Sequence, residues 1–157
     1  MVKKVVNQEL KKYVKILSGF AFKSEYFNTV GNGLPLIRIR DIQNSQTNTY
    51  YDGDYDERFL VKDEDFLIGM DGEFNIVQWA GGKALLNQRV CKLEKNSNEI
   101  DLKYVFYFLK IELKKIEEVT PFVTVKHISV SKILSLKMPI PPLSEQKRIV
   151  SILEKAE

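Results

Sequence analysis

The sequence predicts an α+β fold in which several strands precede a long helix, one further strand and a terminal helix. Three observations indicate this: short alternating apolar runs in the N-terminal two thirds, an apolar stripe at helical spacing over 101–118, and a second stripe after Pro141-Pro142. Because the strands and helices are segregated, the pattern differs from a repeated βαβ unit. At 157 residues, the chain has the size of one domain.

The first clear strand is predicted from Leu36 to Ile42. Its period of two places Ile37 and Ile39 on one face. Arg38 and Arg40 fall on the other face, where they would project from the sheet side by side.

A β-hairpin is predicted next. Two apolar runs, Phe66–Met70 and Phe74–Trp79, flank an Asp71-Gly72 pair, and Asp-Gly between alternating runs is a strong hairpin signal. A further strand is expected over Leu85–Leu93, after the Gly81-Gly82 turn.

Two helices and one more strand are predicted in the last third. The periodicity indicates a helix from Asp101 to Glu118, with Asp101 as its N-cap. Leu134–Ile140 alternates like a strand, and Ser144 is expected to cap a terminal helix. The apolar stripe of that helix, which needs a partner in this chain or in another, consists of Ile149, Ile152, Leu153 and Ala156.

The charge is unevenly distributed along the chain. The formal net charge is +3, but Asp41–Glu73 carries ten acids against two bases, a net of −8, so the remainder carries +11. Such a basic remainder fits a polyphosphate partner, although solvated surface explains the same pattern.

Catalytic and metal-binding chemistry find little support. The single cysteine, Cys91, lies in an apolar strand, where a buried and unreactive thiol is expected, and a lone cysteine suits a reducing cytosol. The single histidine, His127, is expected to be structural. No phosphate-binding glycine loop is present, and no apolar run is long enough to span a membrane. We therefore expect no catalytic residue, metal or cofactor.

Nucleic-acid binding fits the residue types better. Arginine pairs with guanine, and asparagine or glutamine pairs with adenine. Side chains of these kinds, together with one lysine, fall in or beside the predicted strands and turns. The candidate DNA-binding residues are Arg38, Arg40, Gln43, Asn44, Asn75, Gln78, Arg89 and Lys126.

Several segments resemble the specificity subunits of type I restriction-modification systems. They are GLPLIRIRDIQ, LIGMDGEFNI, LLNQRV and the ending IPPLSEQKRIVSIL, and their order and spacing match as well. The resemblance covers nearly the whole chain from Lys12 onward. One local departure is Glu64-Asp65, where these proteins usually have Gly-Asp.

The resemblance implies a cytoplasmic, non-catalytic target recognition domain that reads one half of a split DNA sequence. Its expected fold is a mixed, twisted β-sheet with a packed central helix and a C-terminal spacer helix that forms a coiled coil. Residues 1–142 would be the recognition domain and 143–157 the start of the spacer. The implied partners are double-stranded DNA, the methyltransferase subunit and the restriction subunit. We expect Asp52–Asp65 to point away from DNA.

The chain is shorter than a full specificity subunit, which carries two recognition domains and two spacer helices. It is expected to be either a half-subunit that dimerises through its C-terminal helix or a shortened subunit. Two other functions stay open. One is the recognition part of a fused restriction-methylation enzyme, and the other is a regulatory chain that binds the methyltransferase without reading DNA.

Overall fold

Residues 5–121 and 126–157, which this computed structural model describes, form eleven strands and three α-helices. The helices are α1 (Leu102–Val119), α2 (Val130–Leu134) and α3 (Leu143–Lys155). The strands are β1 (Asn7–Glu9), β2 (Val14–Ser18), β3 (Phe27–Asn28), β4 (Leu34–Ile37), β5 (Tyr50–Tyr51), β6 (Leu60–Val61), β7 (Phe66–Gly69), β8 (Asn75–Gln78), β9 (Ala84–Leu86), β10 (Val90–Lys95) and β11 (Lys137–Pro139).

The strands form three sheets. An antiparallel sheet has the order β2-β10-β7-β8, and a mixed sheet has the order β3-β5-β4-β9-β6. In the mixed sheet β4 and β9 run parallel, whereas the other pairs are antiparallel. Strands β1 and β11 pair separately and bring the N-terminal segment next to the residues that precede α3.

Two hydrophobic cores support these sheets. The first lies between the antiparallel sheet and α1, and Phe74 and Leu109 are fully buried in it. The second lies at the mixed sheet and contains Leu36, Leu85 and Trp79. The α+β prediction, with a packed central helix and a C-terminal helix, is confirmed.

The predicted hairpin and central helix are present. Strands β7 and β8 pair antiparallel, with Gly69 opposite Asn75, around the Asp71-Gly72 turn. Helix α1 begins after Asp101, whose carboxylate accepts a hydrogen bond of 2.9 Å from the Lys103 amide. An acceptor at this position satisfies one of the free amides in the first turn.

The predicted strand Leu36–Ile42 is wrong beyond Ile37. The Asp41 carboxylate accepts a hydrogen bond of 2.9 Å from the Arg38 amide, and residues 39–41 form a 3₁₀ turn. Because this turn replaces the extended backbone, Arg38 and Arg40 do not project from one face of a strand.

The single strand predicted over Leu85–Leu93 is also wrong. The segment forms β9 and β10, which belong to different sheets. The turn between them is closed by a 3.4 Å hydrogen bond from the Val90 amide to the Asn87 carbonyl, and it contains Arg89 with a φ of 71°. This turn carries the chain from the second core into the first.

Two details near the C terminus differ from prediction. The strand is limited to Lys137–Pro139, because the preceding residues through Leu134 form α2, where the Ser129 hydroxyl accepts a hydrogen bond of 3.1 Å from the Lys132 amide. The N-cap of α3 is Pro142 rather than Ser144. Proline fits this position because the first amides of a helix have no carbonyl partner within the helix.

Helix α3 packs against α1. Its inward face buries Gln146 and Val150, and Lys103 of α1 forms an ion pair with Glu154. Among the described residues, no helix combines the length and apolarity needed to cross a membrane.

Candidate nucleic-acid interface

An open cleft of about 370 Å³ lies between the β7–β8 hairpin and α1. Three predicted residues line it, namely Gln43, Asn75 and Gln78, together with Lys110 and Lys114 of α1. We call these five residues the hairpin cleft. Amide groups that can read base edges therefore lie beside ammonium groups that can bind phosphate.

Hydrogen bonds orient the side chains at one end of this cleft. The Lys114 ammonium donates to the Asn75 side-chain carbonyl at 2.9 Å and to Glu117 at 3.5 Å. Glu117 in turn accepts a hydrogen bond of 2.6 Å from the Phe74 amide. The turn of the hairpin is thus tied to the last part of α1.

The Lys110 ammonium lies over two aromatic rings. It is 5.1 Å from the ring centroid of Phe106 and 5.6 Å from that of Tyr107. Cations at such distances are attracted by the negative face of the ring. Lys110 is therefore held against the helix surface while it lines the hairpin cleft.

A second polar group surrounds the turn of the hairpin. One Asp71 carboxylate oxygen accepts a hydrogen bond of 2.5 Å from the Arg89 guanidinium, and the other lies 2.5 Å from Nδ1 of His127. We call these three residues the Asp71 cluster. Burial raises the pKa of the Asp71 carboxyl, but the hydrogen bonds and charges of His127 and Arg89 outweigh burial and lower it below its usual value.

Lys126 lies next to the Asp71 cluster. Its carbonyl accepts a hydrogen bond of 2.7 Å from the Gly72 amide, and its ammonium donates one of 2.7 Å to the Glu117 carbonyl. Lys126 thus connects the Asp71 cluster to the end of α1. There, Glu117 binds Lys114, which lines the hairpin cleft.

The remaining predicted residues lie in and after the 3₁₀ turn that follows β4. Arg38 is half-buried, whereas Arg40 and Asn44 are exposed. The parallel register of Ile37 with Leu86 places Arg38 next to Asn87, at the carboxyl ends of β4 and β9. Within the described residues, Arg38 Nε and Asn87 Oδ1 are the buried side-chain N or O atoms without a hydrogen-bond partner.

The four apolar residues predicted on α3 differ in exposure. Ile149 is half-buried against the first core. Ile152 and Leu153 are 53% and 37% exposed, and Ala156 is exposed. The apolar face of α3 is therefore only partly covered by the described part of this chain.

Four members of these two groups, Lys110, Lys114, Asp71 and His127, were not among the candidates from the sequence. Lys110 and Lys114 were detectable, because residues four apart lie on the same side of a helix. The role of Asp71 was not, because its partner His127 is 56 residues away.

The other sequence candidate for chemistry, Cys91, is buried as expected. Burial raises the pKa of its thiol to about 11, although a hydrogen bond with Ser18 opposes this. A thiol with this pKa stays protonated near neutral pH and is a poor nucleophile. Among the described residues, no group of three or more His, Cys, Asp or Glu side chains could hold a metal ion.

Comparison with known proteins gives a consistent set of matches. Residues 3–157 match the family model of the type I restriction modification DNA specificity domain. The chain is 45% identical over 139 residues to the EcoBI specificity subunit of Escherichia coli, covering 88% of this chain and 29% of that subunit. It is 31% identical over 153 residues to the putative MjaX specificity subunit of Methanocaldococcus jannaschii, covering 96% of this chain and 35% of that subunit.

Solved structures share the fold. The HsdS subunit from Thermoanaerobacter tengcongensis superposes with a TM-score of 0.70 at 20% identity, covering 96% of this chain and 37% of that one. The S subunit from M. genitalium has a TM-score of 0.68 at 16% identity, covering 96% of this chain and 38% of that one. The chain spans about a third of the length of the relatives it matches.

Proposed function

Because this chain belongs to the family of type I restriction-modification DNA specificity domains, we propose that it is the non-catalytic module that reads one half of a split DNA target. Double-stranded DNA, the methyltransferase subunit and, in the larger complex, the restriction subunit are its proposed partners. A cytoplasmic location belongs to the same proposal and fits the one free thiol, Cys91.

The observation that carries the DNA-binding role is the composition of the hairpin cleft. Gln43 comes from the loop after β4, while Asn75 and Gln78 come from β8. We propose that these amides contact base edges and that Lys110 and Lys114 contact phosphates, which supply affinity without sequence information. Arg38, Arg40, Asn44, Arg89 and Lys126 extend the proposed interface beyond the cleft.

Helix α3 has a separate proposed role. We propose that residues 143–157 begin the spacer, with 1–142 as the recognition domain, and that the exposed Ile152 and Leu153 join a second helix as part of a coiled coil. That helix belongs either to a second copy of this chain or to a longer form of the subunit.

The DNA-binding role is tested by fluorescence anisotropy with labelled duplexes, using the full chain alone and with the methyltransferase subunit. Lys114→Ala should weaken binding to every duplex and lower the slope of log K against log salt by about one. Lys115→Ala is the matched control, because Lys115 is exposed on the same helix but does not line the cleft.

Gln78→Ala should change the preferred sequence, whereas Gln46→Ala, which removes an exposed amide outside the cleft, should not. A wild-type chain that binds no duplex in either form would refute the proposal.

A second candidate function is a regulatory chain that binds the methyltransferase without reading DNA, and the exposed apolar residues of α3 favour it. In that case the double variant Ile149→Asp, Leu153→Asp would abolish binding to the methyltransferase subunit. Arg38→Ala and Arg40→Ala would change neither this binding nor the affinity of the complex for DNA. The third candidate is the recognition part of a fused restriction-methylation enzyme. In that case, mixing this chain with the separate catalytic part would restore DNA methylation or cleavage.

A further inference from the structure

The Asp71 cluster holds two exposed side chains on one carboxylate. The side chain of Asp71 is 10% exposed, whereas those of Arg89 and His127 are 66% and 62% exposed. Since each carboxylate oxygen has its own partner, Asp71 is fixed at both ends. The guanidinium of Arg89 is thereby held in a defined position in solvent.

The backbone conformation of Arg89 is one that a turn would more readily place on glycine. Its φ of 71° lies in the left-handed region, which favours glycine. Residues held in such conformations cluster at functional sites. This turn therefore carries an arginine at a strained position, where its guanidinium reaches Asp71.

The contacts of Arg89 leave a recognition edge free. Asp71 binds Nη1, and the described contacts of the guanidinium include no bond from Nη2 or Nε. A guanidinium offers its donors in a rigid fork, and guanine presents two acceptors, O6 and N7, in the major groove. An arginine with one nitrogen already fixed can thus bind guanine with little further loss of side-chain freedom.

The local charge argues against a phosphate as the ligand. The Asp71 carboxylate binds the Arg89 guanidinium directly and offsets its positive charge. A group with no net positive charge attracts a phosphate weakly, whereas the neutral acceptors of a base need only aligned donors. The surroundings of Arg89 therefore suit reading of a base.

We propose that Arg89 reads a guanine in the major groove, with Asp71 as the residue that positions it and His127 as the residue that fixes Asp71. This inference rests on the proposed DNA-binding function and adds the base recognised. A good bidentate contact of this kind corresponds to about 5- to 150-fold discrimination against the wrong base.

The test is selection from a library of duplexes with a randomised central block, using the full chain alone and with the methyltransferase subunit. The wild type should enrich a sequence with a guanine that Arg89→Ala no longer selects, while preferences at the other positions persist. Asp71→Asn and His127→Gln should weaken the preference at that same position. Arg58→Ala is the matched control, because Arg58 is 65% exposed, also lies beside a carboxylate, that of Asp56, and does not line the hairpin cleft.

A second measurement separates base reading from a structural role. Replacing the selected guanine by 7-deazaguanine, which lacks the N7 acceptor but keeps O6, removes one of the two hydrogen bonds and should weaken wild-type binding about 2- to 12-fold. It should not weaken binding by Arg89→Ala. Thermal melting of each variant would reveal a folding defect, which would lower binding to both duplexes alike.

The outcomes distinguish the two proposals. If the wild type selects no sequence in either form, the proposed function fails. If it selects a sequence but Arg89→Ala keeps every base preference and weakens all duplexes equally, Arg89 contacts phosphate and this inference alone is overturned. If Arg89→Ala has no effect, the inference is likewise overturned while the proposed function stands.

Discussion

Glu64 occupies a backbone conformation that suits glycine better than glutamate. Its φ is 76°, and its amide donates a hydrogen bond of 2.8 Å to the Trp79 carbonyl, which holds the turn before β7 in place. The related specificity subunits resembled by the sequence usually have glycine here. The departure at Glu64-Asp65 thus keeps the turn but adds a Cβ in the left-handed region.

We predict that Glu64→Gly stabilises the protein by about 0.5–1 kcal/mol. Relief of the left-handed conformation is worth roughly 1–2 kcal/mol, and the greater freedom of glycine in the unfolded chain offsets part of it. Urea unfolding measures the difference. Glu73→Gly removes the same charge at an exposed turn position whose φ is not positive. That control should be neutral or destabilising, and a Glu64→Gly protein no more stable than the wild type would contradict the prediction.

The sequence shows the residue types of the candidate interface, but it does not show where the fold places them. Alternation placed Arg38 and Arg40 on one strand face, yet a strand and a 3₁₀ turn begin with the same local pattern. The hydrogen bond from the Arg38 amide to the Asp41 carboxylate stabilises the turn. The presence of an aspartate three residues after Arg38 is not enough to predict this bond from the sequence. The pairing of Asp71 with His127 depends on tertiary structure alone, since no local rule connects residues so far apart.

At the scale of elements, Gln146 connects the two long helices. It lies in the first part of α3, is fully buried, and its amide nitrogen donates to the carbonyls of Glu99 and Pro141 at 2.9 and 2.8 Å. Its amide oxygen accepts a hydrogen bond of 2.9 Å from the Asp101 amide at the start of α1. One side chain therefore satisfies three backbone groups where α1 and α3 begin.

We predict that Gln146→Leu destabilises the protein by about 2–4 kcal/mol, because it keeps the volume but leaves three backbone groups without partners. Lys147→Ala, at the exposed neighbouring position, should change stability by less than about 0.5 kcal/mol. The measurement is urea unfolding followed by circular dichroism. A loss below about 1 kcal/mol for Gln146→Leu would mean that water replaces the amide.

Helix α1 and the β7–β8 hairpin could be predicted because each has a strong local signal. The division of Leu85–Leu93 into β9 and β10 could not. Its first residues, in β9, are buried throughout, so they show no alternation, and its turn contains neither glycine nor proline. Only the two separate sheets reveal that the chain reverses at Asn87–Arg89.

At the scale of the whole molecule, the hairpin cleft and the acidic segment use different parts of the fold. The hairpin cleft lies over the first core, between β8 and α1. Residues 52–57 lie between β5 and β6 at the second core, where Tyr51 donates a hydrogen bond of 2.8 Å to the Asp54 carbonyl. None of the residues 52–65 lines the hairpin cleft. This arrangement supports the expectation that residues 52–57 point away from DNA. Glu64 and Asp65 lie closer to the cleft, because their backbone groups hydrogen-bond to Trp79, directly after Gln78.

We predict that Glu57→Lys does not weaken DNA binding. Glu57 is exposed, and at physiological salt the Debye length is about 8 Å, so a charge farther than this from the nearest phosphate acts weakly. Affinity measured by anisotropy should stay within about twofold at that salt, and it should rise modestly at low salt, where screening is weaker.

Lys114→Glu is the charge-matched control for this prediction, because it changes the net charge by the same amount in the opposite direction at a residue that lines the hairpin cleft. It should lower affinity at least tenfold at low salt and less as salt increases, since it replaces a proposed phosphate contact by a repulsion. If Glu57→Lys weakens binding while Lys114→Glu does not, DNA lies against the acidic segment instead. If Glu57→Lys leaves DNA binding intact but weakens association with the methyltransferase subunit, the acids face that partner.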